Sequence, residues 1–326
     1  MGAGNREMTD VVCVGMLVAD IFGSPIDALP AAGELVRIDR YLLSVGGCAA
    51  NTAAALRRLG VGSNLVGKVG KDLLGDFVLR DLERLGIDAS FVVRSSSQPT
   101  SCTFIVNVRG QDRRFIHCFG ANADFSLADV DRHALDGARA LYVGGYLAMP
   151  ALRPEHLVQL FREAKQRGLI TALDVVIPAG ASASPADVQE VLPLTDVFLP
   201  NNDEARALTG CEDAEEQAEV LSRLNPSCTV VITLGKAGVL ARQGDLVLRA
   251  GIFKVDSIDE SGSGDAFDAG FLVGTLKNWS LDESLRFASA VGASCTVALG
   301  CHDGVFSFEE GLAFVSLNHL DISRVT

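Results

Sequence analysis

The chain has 326 residues, of which 48% are hydrophobic and 21% charged. This composition supports one large or two modest globular domains and excludes disordered, collagen-like and coiled-coil chains. The net charge of −13 argues against a nucleic-acid partner, which demands clustered Lys and Arg, but not against a nucleotide held by N–H groups at a helix N-terminus.

Met1–Asp10 is short and polar and lacks the apolar core of a signal peptide. No apolar run approaches the ~20 residues that span a bilayer. The expectation is therefore a cytoplasmic protein with no membrane contact. Short β-branched runs predict strands at Val11–Met16, Ser63–Val66, Ala140–Val143, Leu169–Leu173, Val197–Leu199 and Thr229–Thr233. Helical patterns fall at Cys48–Leu59, Leu73–Leu85, Pro154–Arg167, Asp203–Leu208, Ala214–Leu224, Gly264–Leu276 and Leu281–Val297. Strands alternating with helices predict a parallel α/β sheet covered on both faces. No linker divides the chain, so residues 1–326 are expected to form one domain. Ala179–Ala186 is expected to be a loop. Glu34–Val45 is expected to be extended, and Ser101–Val108 and Arg113–Cys118 to form strands around the turn at 109–112. These segments predict a small antiparallel sheet from about 33–45 and 100–119, either a lid or an ordinary extra hairpin.

The eight cysteines are scattered and none forms C-x-x-C. They are expected to be buried small hydrophobes rather than zinc ligands or disulfides.

Five motifs carry chemistry. In Asp259-Glu260-Ser261-Gly262-Ser263-Gly264-Asp265, an expected strand end at Phe253–Val255 precedes a helix start rich in small residues. N–H groups there favour an anion. Asp265 in the first turn is either a general base for an attacking hydroxyl or a partner of the helix dipole. Gly46-Gly47-Cys48-Ala49-Ala50-Asn51 opens a helix of small residues, and Asn51 either bonds a ligand hydroxyl or satisfies backbone. Asn201 and Glu204, just past an apolar strand, either hold Mg²⁺ or cap a helix. Thr233, Gly235 and Gly238 make either a nucleotide-resting turn or an ordinary one. Asp20 is either an acceptor for two sugar hydroxyls or a solvated loop acid. A dinucleotide fingerprint fails because position 267 is Phe, and there is no G-x-x-x-x-G-K-[ST] loop.

In order and spacing, these motifs together resemble the ribokinase-like sugar kinases, the PfkB family, from Gly15 to about Gly304. The resemblance implies a three-layer Rossmann-like domain with a β-sheet lid, moving the ATP γ-phosphate to a primary hydroxyl of a sugar. It implies Asp265 as the base and Gly262, Ser263 and Gly264 as the anion hole. It places Asn201 and Glu204 at Mg²⁺, and Thr233, Gly235, Gly238, Ser289 and Asn201 at the nucleotide. Asp20, Gly46, Gly47 and Asn51 correspond to sugar contacts. Asp259 and Ser261, with backbone near Cys295, Ala298, Gly300 and Gly304, correspond to the K⁺ site of some members. Cys48 stands where ribokinases proper carry Lys, and the strand Val143-Gly144-Gly145-Tyr146-Leu147 lacks their sugar-binding Glu. Both departures point away from ribose. The alternatives are a nucleoside kinase and a non-catalytic sugar-binding protein. Phe104, Ile105, Val106 and Ile116 fit either a homodimer through the lid or an inward lid face.

Overall fold

The computed structural model describes residues 9–111 and 113–325. All five residues of β1 (Val11–Gly15) are buried. Val11 and Cys13 join the apolar cluster on one face of a sheet, and Val12 and Val14 the cluster on the other. Burial on both faces is why the strand reads as an unbroken apolar run. The chain continues through β2 (Val18–Gly23), β3 (Tyr41–Gly46), α1 (Cys48–Arg58), β4 (Ser63–Gly70), α2 (Leu73–Arg84) and β5 (Asp88–Ser95). Next come β6 (Cys102–Val106), β7 (Arg114–Cys118), β8 (Ala140–Tyr146), α3 (Pro154–Gln166), β9 (Ile170–Val175) and β10 (Val197–Phe198). The remainder is α4 (Asn202–Thr209), α5 (Ala214–Leu224), β11 (Thr229–Thr233), β12 (Val239–Gln243), β13 (Leu246–Ala250), α6 (Ser263–Leu276), α7 (Leu281–Cys295), α8 (Phe308–Leu317) and β14 (Ile322–Arg324).

Ten strands form one sheet in the order β14-β13-β12-β11-β10-β9-β8-β1-β4-β5. The run from β11 to β5 is parallel, and β12, β13 and β14 extend it antiparallel. α1, α2, α6 and α7 bury their apolar sides on one face, and α3, α4 and α5 on the other. The result is the expected three-layer α/β domain. No helix among the described residues is long and apolar enough to cross a membrane. Ala179–Ala186 is a loop, with one turn closed by the Ala181 N–H to the Pro178 carbonyl and a second at Pro185–Asp187.

Four further strands form the smaller sheet, in the order β3-β2-β6-β7. Its outer pairs are antiparallel, and β2 runs parallel to β6. β2 was not expected in it; it directly follows β1 across Met16 and Leu17. That junction is fastened by one amide. Asn122 accepts from the Leu17 N–H at 3.2 Å and donates to the Leu17 carbonyl at 3.0 Å. Two expectations fail. Residues 34–40 are exposed and carry no ladder, so only Tyr41–Gly46 of that segment is strand. Phe253–Val255 is irregular and pairs with no strand among the described residues. Phe253 instead packs edge-on against Phe314, with ring centroids 5.0 Å apart.

The small sheet alternates as a half-buried sheet should. Ile105 is buried with Phe22 and Cys301, while Phe104 and Ile116 face outward, 51% and 64% exposed. On the inner face Ser44, Asp20, Thr103 and His117 stand opposite one another across the four strands.

Candidate active site

The parallel strands end on one side of the sheet, where open α/β sheets offer their binding crevice. α6 begins there. Its N-cap Gly262 has φ 73 and no side-chain cap, and a Cβ at this position would come 2.7 Å from that of Cys301. Only glycine makes this turn, which leaves the first N–H groups of α6 pointing outward. The space beside Gly264 is open.

Asp265 lies in the first turn of α6. Asn51 of α1 donates to its Oδ2 at 2.8 Å, and the Cys48 thiol, a weak donor, lies within 4.8 Å of the same carboxylate. Burial raises the Asp265 carboxyl to about 6, and these two donors hold it back from going higher. His302 lies 2.9 Å from Asn51 Oδ1. Since the Asn51 amide nitrogen faces Asp265, its oxygen must accept, and His302 Nε2 carries the proton. Burial pushes His302 down to about 4, so it is neutral near pH 7. His302, Asn51 and Asp265 therefore form an oriented chain.

Asp20 is buried on β2. Burial raises it to about 7; the Thr103 hydroxyl bond opposes this, and Asp265 and Asp259 add to it. A Cβ on Gly46 would lie 1.8 Å from Asp20 Oδ2, so glycine at 46 makes room for that carboxylate. Asp20, Gly46, Gly47 and Asn51 thus lie on the same side of the α6 start as Asp265.

On the other side of the α6 start, a cavity of about 400 Å³ is lined by Thr233, Gly235, Gly238, Ser289, Ser263 and Gly264, among others. The expected nucleotide positions and part of the anion hole therefore share one space. Asn201 is just outside this group, in a single parallel bridge with Thr233.

Asn201 and Glu204 form a reciprocal helix cap. Glu204 Oε2 accepts from Asn201 N at 2.8 Å, and Asn201 Oδ1 accepts from Glu204 N at 2.9 Å. Burial raises Glu204 to about 8, with Asp265 adding to it. Asp174, at the end of β9, and Asp268 are likewise pushed well up by burial and by neighbouring carboxylates. Tyr142 donates to Asp268 at 2.9 Å. Among the described residues no Lys or Arg pairs with Glu204, Asp174, Asp265 or Asp268. This uncompensated group of carboxylates suits a divalent cation, and Glu204 and Asn201 are oxygen donors of the kind Mg²⁺ takes.

The sequence reading missed Asp174, His302, Thr103 and His117. Asp174 carried a usable signal, a carboxylate at the end of a predicted parallel strand. His302 carried none, because it meets Asn51 across 251 positions.

Residues 8–305 match the family model described as pfkB family carbohydrate kinase. A ribokinase of Haemophilus influenzae is 30% identical over 290 residues, covering 87% of this chain and 91% of that protein. A probable fructokinase-5 of Arabidopsis thaliana is 27% identical, over 84% and 90%. The solved structure of Arabidopsis thaliana ribokinase complexed with ribose and ATP superposes with a TM-score of 0.79 at 23% identity, covering 96% of this chain and 100% of that one. A putative ribokinase II of E. coli in complex with ATP and Mg²⁺ gives 0.79 at 19%, over 95% and 100%. At such identities the structures establish the fold, and the family match extends over nearly the whole chain. The chain belongs to the pfkB family of carbohydrate kinases and is a sugar kinase.

Proposed function

We propose that the chain transfers the γ-phosphate of ATP to a primary hydroxyl of a neutral sugar, with Asp265 as general base. One observation carries this reading: the α6 N-terminus lies between the nucleotide-sized cavity and the Asp20–Asn51 group, with Asp265 in its first turn. A hydroxyl held by Asp20 and Asn51 gives its proton to Asp265 as its oxygen bonds to the γ-phosphorus and ADP departs. General-base work of this kind is worth about 10²–10⁴ in rate. N–H groups of 262–264 stabilise charge on the transferring group, each worth roughly 10²–10³. Mg²⁺, when bound near Asn201 and Glu204, neutralises charge on the phosphates. The small sheet acts as the lid, closing over the sugar with its row of Asp20, Thr103 and His117 and excluding water.

A neutral sugar is preferred because burial already pushes Asp20, Asp174 and Glu204 toward their protonated forms, so the site holds further negative charge poorly. A phosphorylated sugar would add such charge, and among the described residues no Lys or Arg is one of the groups acting on Asp20. The test is ADP release from the purified chain with panels of neutral sugars, sugar phosphates and nucleosides. Turnover is expected with neutral sugars bearing a free primary hydroxyl; turnover of nucleosides or sugar phosphates alone would overturn the reading.

A further inference from the structure

The family resemblance brings with it a monovalent-cation site at Asp259 and Ser261, and the residues present do not fit one. Asp259 is 5% exposed. Its Oδ1 accepts from Ser261 N at 3.0 Å and its Oδ2 from Gly300 N at 3.0 Å. The guanidinium of Arg113 stands 3.5 Å from Oδ1 and donates to Ser261 Oγ at 2.9 Å. Two of the expected oxygen ligands therefore already face a fixed positive charge. Cys295 Sγ lies 3.4 Å from the Ser261 carbonyl and 3.3 Å from that of Cys301, so a thiol sits against two further carbonyl oxygens. Lys236 stands 3.8 Å from Glu260, which adjoins Ser261.

We infer that Arg113 is the resident cation of this site, doing with a side chain what a bound ion does elsewhere. It is a positioning residue: it touches the loop that leads into Gly262–Gly264, not the reacting atoms. A guanidinium is charged at every working pH, and here its Nη1 reaches the carboxylate and the hydroxyl together. Arg113 immediately precedes β7, the outer strand of the small sheet. The charge that steadies the anion-hole loop is therefore delivered by the small sheet, and it is withdrawn if that sheet lifts away. The chain needs no K⁺, and the seating of the small sheet and the shape of the anion hole are one event.

This inference rests on the kinase reading for its rate arm but not for its stability arm. The full-length protein is dialysed into choline salts and then compared in K⁺, Na⁺ and choline at equal ionic strength. Melting midpoint and turnover of the unaltered chain are expected to be the same in all three; a K⁺-specific rise in either overturns the inference. Arg113→Ala is expected to lose about 10- to 100-fold in kcat, the range for groups that orient a site from behind. Guanidinium at sub-denaturing concentration, or K⁺, should restore part of that rate and raise the variant's melting midpoint by binding the vacated place. Arg113→Lys should retain more activity than Arg113→Ala. An Ala variant that matches the parent, or one that responds to neither cation, overturns the inference. If the Ala variant does not fold, Arg113→Lys and the melting comparison decide the matter. A chain without kinase activity still gives the melting result, so the two readings fail separately.

Discussion

Asp265→Asn should weaken catalysis and strengthen the fold. The change removes the charge but keeps the shape, and the new amide oxygen still accepts from Asn51. Burial lifts the native carboxyl from 3.8 to about 6. Holding it ionised therefore costs the folded state about 3 kcal/mol, at 1.36 kcal/mol for each tenfold in acidity. The sign follows from proton binding. Between pH 4 and 6 the folded state keeps a proton that the unfolded state has released, so its stability falls as pH rises through that window. Above pH 6 the full cost is present, and below about pH 4 it vanishes. The Asn variant escapes this cost but accepts weaker hydrogen bonds, an offset of about 1 kcal/mol. The net gain is about 2 kcal/mol at pH 8 and none at pH 4. Turnover should fall by about 10³-fold with the loss of the general base. Urea midpoints at both pH values, together with saturating-substrate turnover, measure all three quantities. A variant that keeps turnover near the parent's, or that is less stable than the parent at pH 8, would refute the assignment of Asp265.

Asn51→Leu removes the donor that holds Asp265 down, so the acid limb of kcat/KM, expected near pH 6 in the parent, should move to higher pH. A limb that stays in place means that another group titrates there. Gly46→Ala drives a methyl group to 1.8 Å from Asp20 Oδ2. The displaced carboxylate should raise the sugar KM by about 10²-fold, while nucleotide affinity measured by calorimetry stays unchanged; an equal loss of both would place Gly46 elsewhere in the machinery.

The legible parts of the fold were those with local causes. β1, β8 and β11 are buried on both faces and read as apolar runs. α5 and α7 begin at acceptors, Asp213 and Ser280, that their first turns require. The three-residue β14 and the irregular 251–257 were not legible, because pairing there depends on which neighbour is present rather than on composition. The same division holds in the site. Gly262–Asp265 is contiguous and announced itself. Arg113 meets Ser261 across 148 positions, and no periodicity in the sequence marks that approach. Of the two readings of Asn201 and Glu204 the structure shows the cap, which uses one Glu204 carboxylate oxygen and leaves the other for the proposed metal.

The amide of Asn122 that fastens Leu17 also sets the geometry of any swinging of the small sheet. A rotating body moves least near its fixed point. At about 3.3 Å per residue, Asp20 lies about 10 Å from Leu17, and the start of β7, beyond the level of Phe22, about 20 Å. A given tilt therefore displaces the far strand about twice as much as Asp20. Asp20, the carboxylate proposed to meet the sugar, sits closer to the axle and moves about half as far at every angle. The outer strand works at the end of the arm, so a small correction in how the sugar seats is read there at double amplitude.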